Sequence, residues 1–107
     1  MATLTCTITV NYIQRGMTST QFVAILTALI NLQSAGTSAG YSVNPSILNY
    51  NDDTGALNAL IVFQASKTGA FVVNDISTYL SWITSNIVAI MPQNSTITKA
   101  YAWNPAP

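Results

Sequence analysis

Apolar and polar residues alternate strictly at the start of the chain. The apolar positions are Leu4, Cys6, Ile8, Val10 and Tyr12, and the polar positions between them are Thr5, Thr7, Thr9 and Asn11. Successive side chains of a strand point to opposite faces of a sheet, so this period of two predicts a β-strand with one apolar and one threonine-rich face.

A helix is predicted to begin at Thr18. Thr18 and Gln21 have the three-residue spacing at which both side chains hydrogen-bond to the backbone of a first helical turn. Apolar residues then recur every three or four positions, at Phe22, Ile25, Leu26, Leu29 and Leu32. Gly36 is expected to end this helix, because glycine is the commonest residue just beyond a helix C-terminus. The small residues from Ser34 to Gly40 are expected to form a connector.

The middle of the chain predicts a hairpin of two strands. Residues 41–51 include Pro45, which has no backbone donor and is therefore expected in an edge strand or a bulge. Residues 51–55, Asn-Asp-Asp-Thr-Gly, have the composition of a turn. Residues 56–65 are apolar at both alternating positions, which favours a central strand.

A second helix and a last strand complete the pattern. Either Asn74 or Asp75 is expected to cap the helix. The apolar stripe of this helix steps by four and three residues through Ile76, Leu80, Ile83, Ile87 and Ile90, and Pro92 is expected to end it. A strand is predicted from Thr96 to Trp103.

The order strand, helix, strand, strand, helix, strand predicts a ferredoxin-like α+β sandwich (βαββαβ), in which a four-stranded antiparallel sheet carries two helices on one face. We expect a single α+β domain over residues 1–103 and a short proline-containing tail over residues 104–107. In this topology the first and third strands are central. The face without helices would then expose Thr5, Thr7 and Thr9 beside Asn58, Leu60 and Val62.

Charge is scarce, and its distribution changes how the surface is interpreted. Only 6% of the 107 residues are charged and the net charge is zero, whereas about a quarter of the residues of an ordinary domain are charged. The six charged residues are Arg15, Asp52, Asp53, Lys67, Asp75 and Lys99. Four of them fall in predicted loops, so the predicted helices and strands are almost free of charge. A protein whose net charge is near zero tends to associate, because its copies repel one another weakly.

The composition also argues against several functions. There is no His and only one Cys, so we predict no metal site, no cofactor and no enzymatic acid–base centre. Cys6 is predicted to be a core residue. We predict no nucleic-acid partner, because basic residues that would hold phosphates do not cluster. We also predict no membrane partner and no signal peptide, and therefore synthesis in the cytoplasm.

One short motif has a catalytic counterpart. The residues Asp53-Thr54-Gly55-Ala56 resemble the D-T-G-A string of retroviral-type aspartic proteases, which pair two such carboxylates across a dimer. The polar residues 49–52 stand where that family has a hydrophobic strand, and two predicted helices conflict with its all-β fold. We therefore interpret residues 53–56 as a hairpin turn.

Two other groups of residues have structural interpretations. Lys67-Thr68-Gly69 is interpreted as a loop. The aromatic side chains of Tyr79, Trp82, Tyr101 and Trp103 are not interleaved with a cluster of basic residues, so we assign these side chains to the core or to a subunit contact rather than to stacking on bases or sugars.

Together these observations predict a non-enzymatic structural protein that self-associates or attaches to a larger protein assembly. The candidate interface is the helix-free face with Thr5, Thr7, Thr9, Asn58, Leu60 and Val62. Small modules rich in Thr, Ser and Asn with few charges are typical of virion components, so a phage or viral structural protein is the specific expectation. The alternatives are a dimeric ferredoxin-like protein that binds a small ligand between sheet and helices, which includes a cofactor-free enzyme, and a small viral inhibitor of a host factor.

Overall fold

The computed structural model describes residues 1–12 and 16–107. The elements are β1 (Ala2–Tyr12), α1 (Ser19–Ala39), β2 (Tyr41–Asn51), β3 (Ala56–Lys67), α2 (Val73–Trp82) and β4 (Thr96–Asn104). A π-helical turn at Ile83–Ile87 and a 3-10 turn at Val88–Ile90 prolong α2. The loop predicted after β1, including Arg15, falls mainly on residues 13–15 and so lies outside the described residues.

The four strands form one antiparallel sheet in the order β2-β3-β1-β4. The central position of β1 and β3 is as predicted, and the fold is the ferredoxin-like α+β sandwich. Pro45 lies in the edge strand β2, where the pairing with β3 shifts register between Pro45 and Ile47. The missing N–H of Pro45 is tolerated at this edge because it breaks no ladder between central strands.

The core lies between one face of the sheet and the helices. Every second residue of β1 from Ala2 to Val10 and of β3 from Leu57 to Ala65 is buried. Leu29 of α1 and Ile83 and Ile87 of the π-helical turn are at most 1% exposed against them. Burying one such side chain contributes about 1.5–3 kcal/mol, so this layer is the principal source of stability. The assignment of Cys6 to the core is confirmed, since it is fully buried and forms no disulfide.

The predicted start of α1 is confirmed and its predicted end is wrong. The Thr18 N–H donates to Gln21 Oε1 (2.9 Å) and the Gln21 N–H donates to Thr18 Oγ1 (3.2 Å). The helix passes through Gly36 and ends at Ala39, where Gly40 caps it with φ +86°. Gly36 is buried, and a Cβ at this position would lie 3.0 Å from Val43 Cγ2. This glycine therefore allows the helix to approach β2 instead of ending it.

The predicted cap of α2 is also wrong. The N-cap residue is Val72, and neither Asn74 nor Asp75 occupies that position. The Asp75 carboxylate acts from within the first turn, where it accepts a hydrogen bond from the Val72 N–H (2.9 Å) and pairs with Lys67 Nζ (2.6 Å). The helix therefore begins two or three residues earlier than predicted, and Asp75 lies at the third position of its first turn, where it forms an ion pair with the end of β3.

One position of the predicted α2 stripe faces outward. Leu80 is 36% exposed, and Tyr79 is buried in its place. The Tyr79 ring lies 5.7 Å from that of Tyr41 and 5.9 Å from that of Phe71. The packing of these aromatic rings favours Tyr79 at the buried position. In the π-helical turn that follows, the hydrogen bonds are spaced more widely than in an α-helix, so the later residues are rotated relative to a regular α-helical stripe.

Candidate interaction surface

The sheet has one face without helices, which we call the open face. The structure brings all six residues of the candidate interface together there. Thr7 pairs with Val62 and Thr9 with Leu60 across β1 and β3, and Asn58 pairs with Asn11. Thr5, Thr7, Thr9, Leu60 and Val62 are half-buried and Asn58 is exposed. The Asn58 Nδ2 donates to Asn11 Oδ1 (3.0 Å).

The outer strands extend the open face beyond the residues chosen from sequence. On β4, Ala100 pairs with Thr7 and Ala102 with Thr5. On β2, Ile47 pairs with Leu60 and is 42% exposed. The period-two pattern could have placed the β4 residues on this face. The same pattern could not place Ile47 on this face. The register shift between Pro45 and Ile47 interrupts the alternation of β2, so that Ile47 points to the opposite face from the one that the alternation predicts.

The open face is electrically neutral over the part of the chain that the structure describes. Lys99 pairs with Ile8, whose side chain is buried under the helices, and therefore lies on the other face of β4. Asp52 and Asp53 lie in the exposed turn between β2 and β3. Lys67 and Asp75 neutralise each other, with side chains that are 28% and 24% exposed. Leu60, Val62 and Ile47 thus lie in a surface of methyl, hydroxyl and amide groups.

The dimensions of the open face follow from strand geometry. Four strands spaced about 4.8 Å apart, each contributing about nine residues at roughly 3.3 Å per residue, cover roughly 500 Å². Two copies packed through this face would bury about 1,000 Å² in total, which is at the lower limit for a specific protein–protein interface.

One end of the open face is rich in asparagine. Asn49, Asn58 and Asn11 pair in a row across β2, β3 and β1. They line a shallow cleft of about 470 Å³ that Asn51 and Asp52 also border. Neutral amides both donate and accept hydrogen bonds, so this end can bind polar groups of a partner while the middle of the face provides apolar contact.

The predicted turn at residues 53–56 is confirmed. The Asn51 Oδ1 accepts hydrogen bonds from the backbone N–H groups of Asp53 (3.0 Å) and Thr54 (3.3 Å). Gly55 adopts φ +74°, a conformation that glycine tolerates better than other residues. Asp53 is exposed at the tip of a hairpin.

The aromatic side chains pack in or against the core, as predicted. The Trp103 ring lies 5.1 Å from that of Phe71, and the Trp82 ring lies 5.1 Å from that of Tyr41. Burial raises the pKa of the Cys6 thiol, and a hydrogen bond with Tyr101 partly offsets this increase. A thiol with a raised pKa is a poor nucleophile at neutral pH.

The outer surface of α1 is uncharged along its whole length. Val23 and Ile30 are each 55% exposed there. The Oγ1 of Thr27 donates to the carbonyl oxygen of Val23 (2.9 Å), and the Oγ1 of Thr37 donates to that of Gln33 (3.0 Å). By length and composition α1 could cross a membrane, with a mean hydropathy of 1.3 in its most apolar window. Helices of soluble domains can also meet this criterion, and α1 packs against β2 and buries Leu29, Leu32 and Gly36.

A second cavity lies beside the first turns of α1. It measures about 430 Å³, and its walls include Met17, Gln21, Ile25, Ile90 and Gln93. The centre of the space between sheet and helices is filled by the buried side chains described above. This cavity at the end of the sandwich is a place where a small ligand of the kind considered from sequence could bind.

Comparison with known proteins supports the fold. No family model and no curated protein matches the sequence. Among solved structures, the chain is similar to "De novo designed protein Foldit4", with 9% sequence identity, a TM-score of 0.54, and coverage of 94% of this chain and 96% of that one. At this identity the similarity concerns the fold alone, and it agrees with the four-stranded sheet and two helices described above.

Proposed function

We propose that this protein is a structural protein that self-associates, and that two copies pack through their open faces. The observation that carries the proposal is the neutrality of this face over the described residues, with Leu60 and Val62 in its middle and Ile47 beside Leu60 on the outer strand β2. An ordinary solvated sheet face carries charged side chains, because charge keeps copies apart. Across its middle, this face has no charged side chains that would resist contact with a second copy.

The chemistry of the face suits a copy of itself. Two sheets pack about 10 Å apart with their inner side chains interdigitated. In a twofold arrangement each patch meets the same patch of the other copy, so Leu60 and Val62 would meet apolar groups and the threonine methyls. The asparagine row would meet hydroxyl or amide groups that can both donate and accept.

The small area sets the expected strength of this contact. An interface near 1,000 Å² is typical of weak or transient complexes. The open face alone should therefore give a dimer whose population rises with protein concentration.

The test is a charge placed in the middle of the face. Thr7→Lys would bring two ammonium groups together near the twofold axis, which should weaken association by about a hundredfold or more. The fold should persist because Thr7 is half-exposed on the open side. Thr20→Lys is the matched control, since Thr20 is exposed on α1, which covers the other face of the sheet.

Sedimentation velocity over a wide range of concentrations, with circular dichroism to verify folding, measures the outcome. Loss of the dimer in Thr7→Lys but not in Thr20→Lys supports the proposal. A wild-type chain that is monomeric at every concentration, or equal association of both variants, would refute it.

The virion role stays part of the proposal, and it rests on composition: few charges and many Thr, Ser and Asn residues. The alternative of a small-ligand protein is supported by the cavity beside α1 with Met17, Ile25 and Ile90 in its walls. Native mass spectrometry of protein purified from its source distinguishes the two: a multiple of the chain mass supports assembly, and a mass increment of a few hundred daltons supports the ligand.

A further inference from the structure

The two edges of the sheet differ in their ability to pair with another strand. At the β2 edge, Pro45 provides no N–H and the register shift between Pro45 and Ile47 bends the strand. Proline, bulges and charged side chains, lysine above all, are devices by which natural sheets block edge-to-edge association. The β2 edge is therefore protected.

The β4 edge carries no proline and no register shift, and its one charged residue is Lys99. β4 pairs with β1 from Thr3–Asn104 to Asn11–Thr96, and no described residue pairs with its other side. Its nine residues contain no proline, and Pro105 follows only after its end. Alternate N–H and C=O groups of an edge strand point away from the sheet. Such a strand offers a template to another strand of similar length.

We propose that β4 pairs antiparallel with β4 of a second copy, about a twofold axis at Ala100, so that two four-stranded sheets join into one continuous sheet. This inference rests on the proposed self-association and adds a second contact to it. The open face alone reaches only the lower limit for a specific interface, and the edge contact supplies backbone hydrogen bonds that the face cannot.

The register follows from the sequence of β4. Residues directly opposite each other in a continuous sheet share a face, so the axis must pass through a residue rather than between two. An axis at Ala100, the midpoint of Thr96–Asn104, pairs all nine residues. It sets Lys99 opposite Tyr101 of the second copy. An axis at Lys99 would instead oppose two ammonium groups, and like charges directly opposite each other are destabilising.

The same register gives compatible side-chain pairs on both sides of the sheet. On the helix side, Ile97 would face Trp103, which is a pair of β-branched and aromatic residues, and Lys99 would face the ring of Tyr101, where a cation is attracted to the aromatic face. On the open side, Thr98 would face Ala102 and Ala100 would face itself. None of these pairs joins two bulky side chains at the axis.

The two contacts have different axes. The axis of the edge pair is perpendicular to the sheet, whereas that of the face pair lies between two stacked sheets. If the axes intersect, the four copies close into a tetramer, and otherwise the contacts alternate along an open filament.

Single cysteines introduced on β4 test both the contact and its register. Ala100→Cys would lie opposite itself and should form a disulfide-linked dimer under mild oxidation. Thr98→Cys is the matched control, because residue 98 would face residue 102 and should not link to itself. A mixture of Thr98→Cys and Ala102→Cys should give the mixed dimer. The native Cys6 is fully buried and does not compete.

The experiment is repeated with Val62→Lys added to each variant. Val62 lies on the open face of β3, two strands away from β4, so this charge opposes packing of the open faces without lying beside the introduced cysteines. We expect the Ala100→Cys linkage to persist there. If Thr98→Cys links to itself as readily as Ala100→Cys does, or if no variant links, the edge proposal is wrong. Linkage of Ala100→Cys that disappears with Val62→Lys would also overturn the edge contact, while the proposed packing of open faces would stand.

Discussion

The substitution of Gly55 tests how tightly the β2–β3 turn is packed against the chain segment that leads into α1. A Cβ at position 55 would lie 2.7 Å from the backbone nitrogen of Met17, 2.9 Å from its carbonyl oxygen and 3.0 Å from the nitrogen of Gly16. All three are backbone atoms. That same carbonyl oxygen accepts a hydrogen bond from the Tyr50 hydroxyl (2.8 Å), so Met17 cannot retreat without disturbing a second contact.

The expected magnitude for Gly55→Ala combines two costs and one compensation. An alanine at φ +74° is strained by about 1–2 kcal/mol. Forcing an extra carbon into packed backbone costs about 1–3 kcal/mol more. The reduced freedom of the unfolded chain returns about 0.4–1 kcal/mol. The free energy of unfolding should therefore fall by about 1–4.5 kcal/mol, which lowers the Tm by roughly 5–20 °C.

Gly69→Ala is the matched control for this prediction. Gly69 has φ +83°, and nothing lies within 4 Å of the position that its Cβ would occupy. It carries the same strain and the same compensation without the close contact, so its loss should be only about 1 kcal/mol. Urea unfolding of both variants, followed by circular dichroism, measures the difference. Equal losses would show that the approach of Met17 to Gly55 contributes nothing, and the reasoning would be refuted.

Three further outcomes are expected. Ile83→Ala should lower the free energy of unfolding by about 2–5 kcal/mol, because Ile83 is fully buried at the start of the π-helical turn; a loss below about 1 kcal/mol in thermal unfolding would contradict this packing. Hydrogen bonds from Lys67 and from the Val72 N–H lower the pKa of Asp75. The contribution of this carboxylate to stability is therefore complete at neutral pH and lost as the pH falls below about 4. Asp75→Asn should be less stable than wild type at pH 7, and the difference in the free energy of unfolding between the two proteins should become smaller in acid. The buried Cys6 thiol should react with a thiol reagent only at the rate of unfolding, and rapid reaction of the native protein would show that β1 is accessible.

The sequence predicted the order and type of the elements because each strand and helix has a clear apolar period. The six residues of the candidate interface could be placed on one face because β1 and β3 alternate without interruption. The wrong predictions concern positions where two residues fit the local sequence pattern equally well and only the packing of the folded chain selects one of them. Gly36 and Gly40 carry the same signal for a helix end, and only the proximity of Val43 shows that Gly36 belongs inside the helix. Likewise Tyr79 and Leu80 compete for one buried position, and the surrounding aromatic rings favour Tyr79.

The threonines of the helices change what a count of polar residues means for this protein. The hydroxyls of Thr27, Thr37 and Thr78 donate to carbonyl oxygens four residues earlier in their own helices, at 2.9, 3.0 and 2.8 Å. A hydroxyl engaged in this way has no proton left to offer to water and can only accept a hydrogen bond from it. These helices therefore hold their hydration layer less strongly than their composition implies, and a neighbouring protein can displace it at a lower desolvation cost.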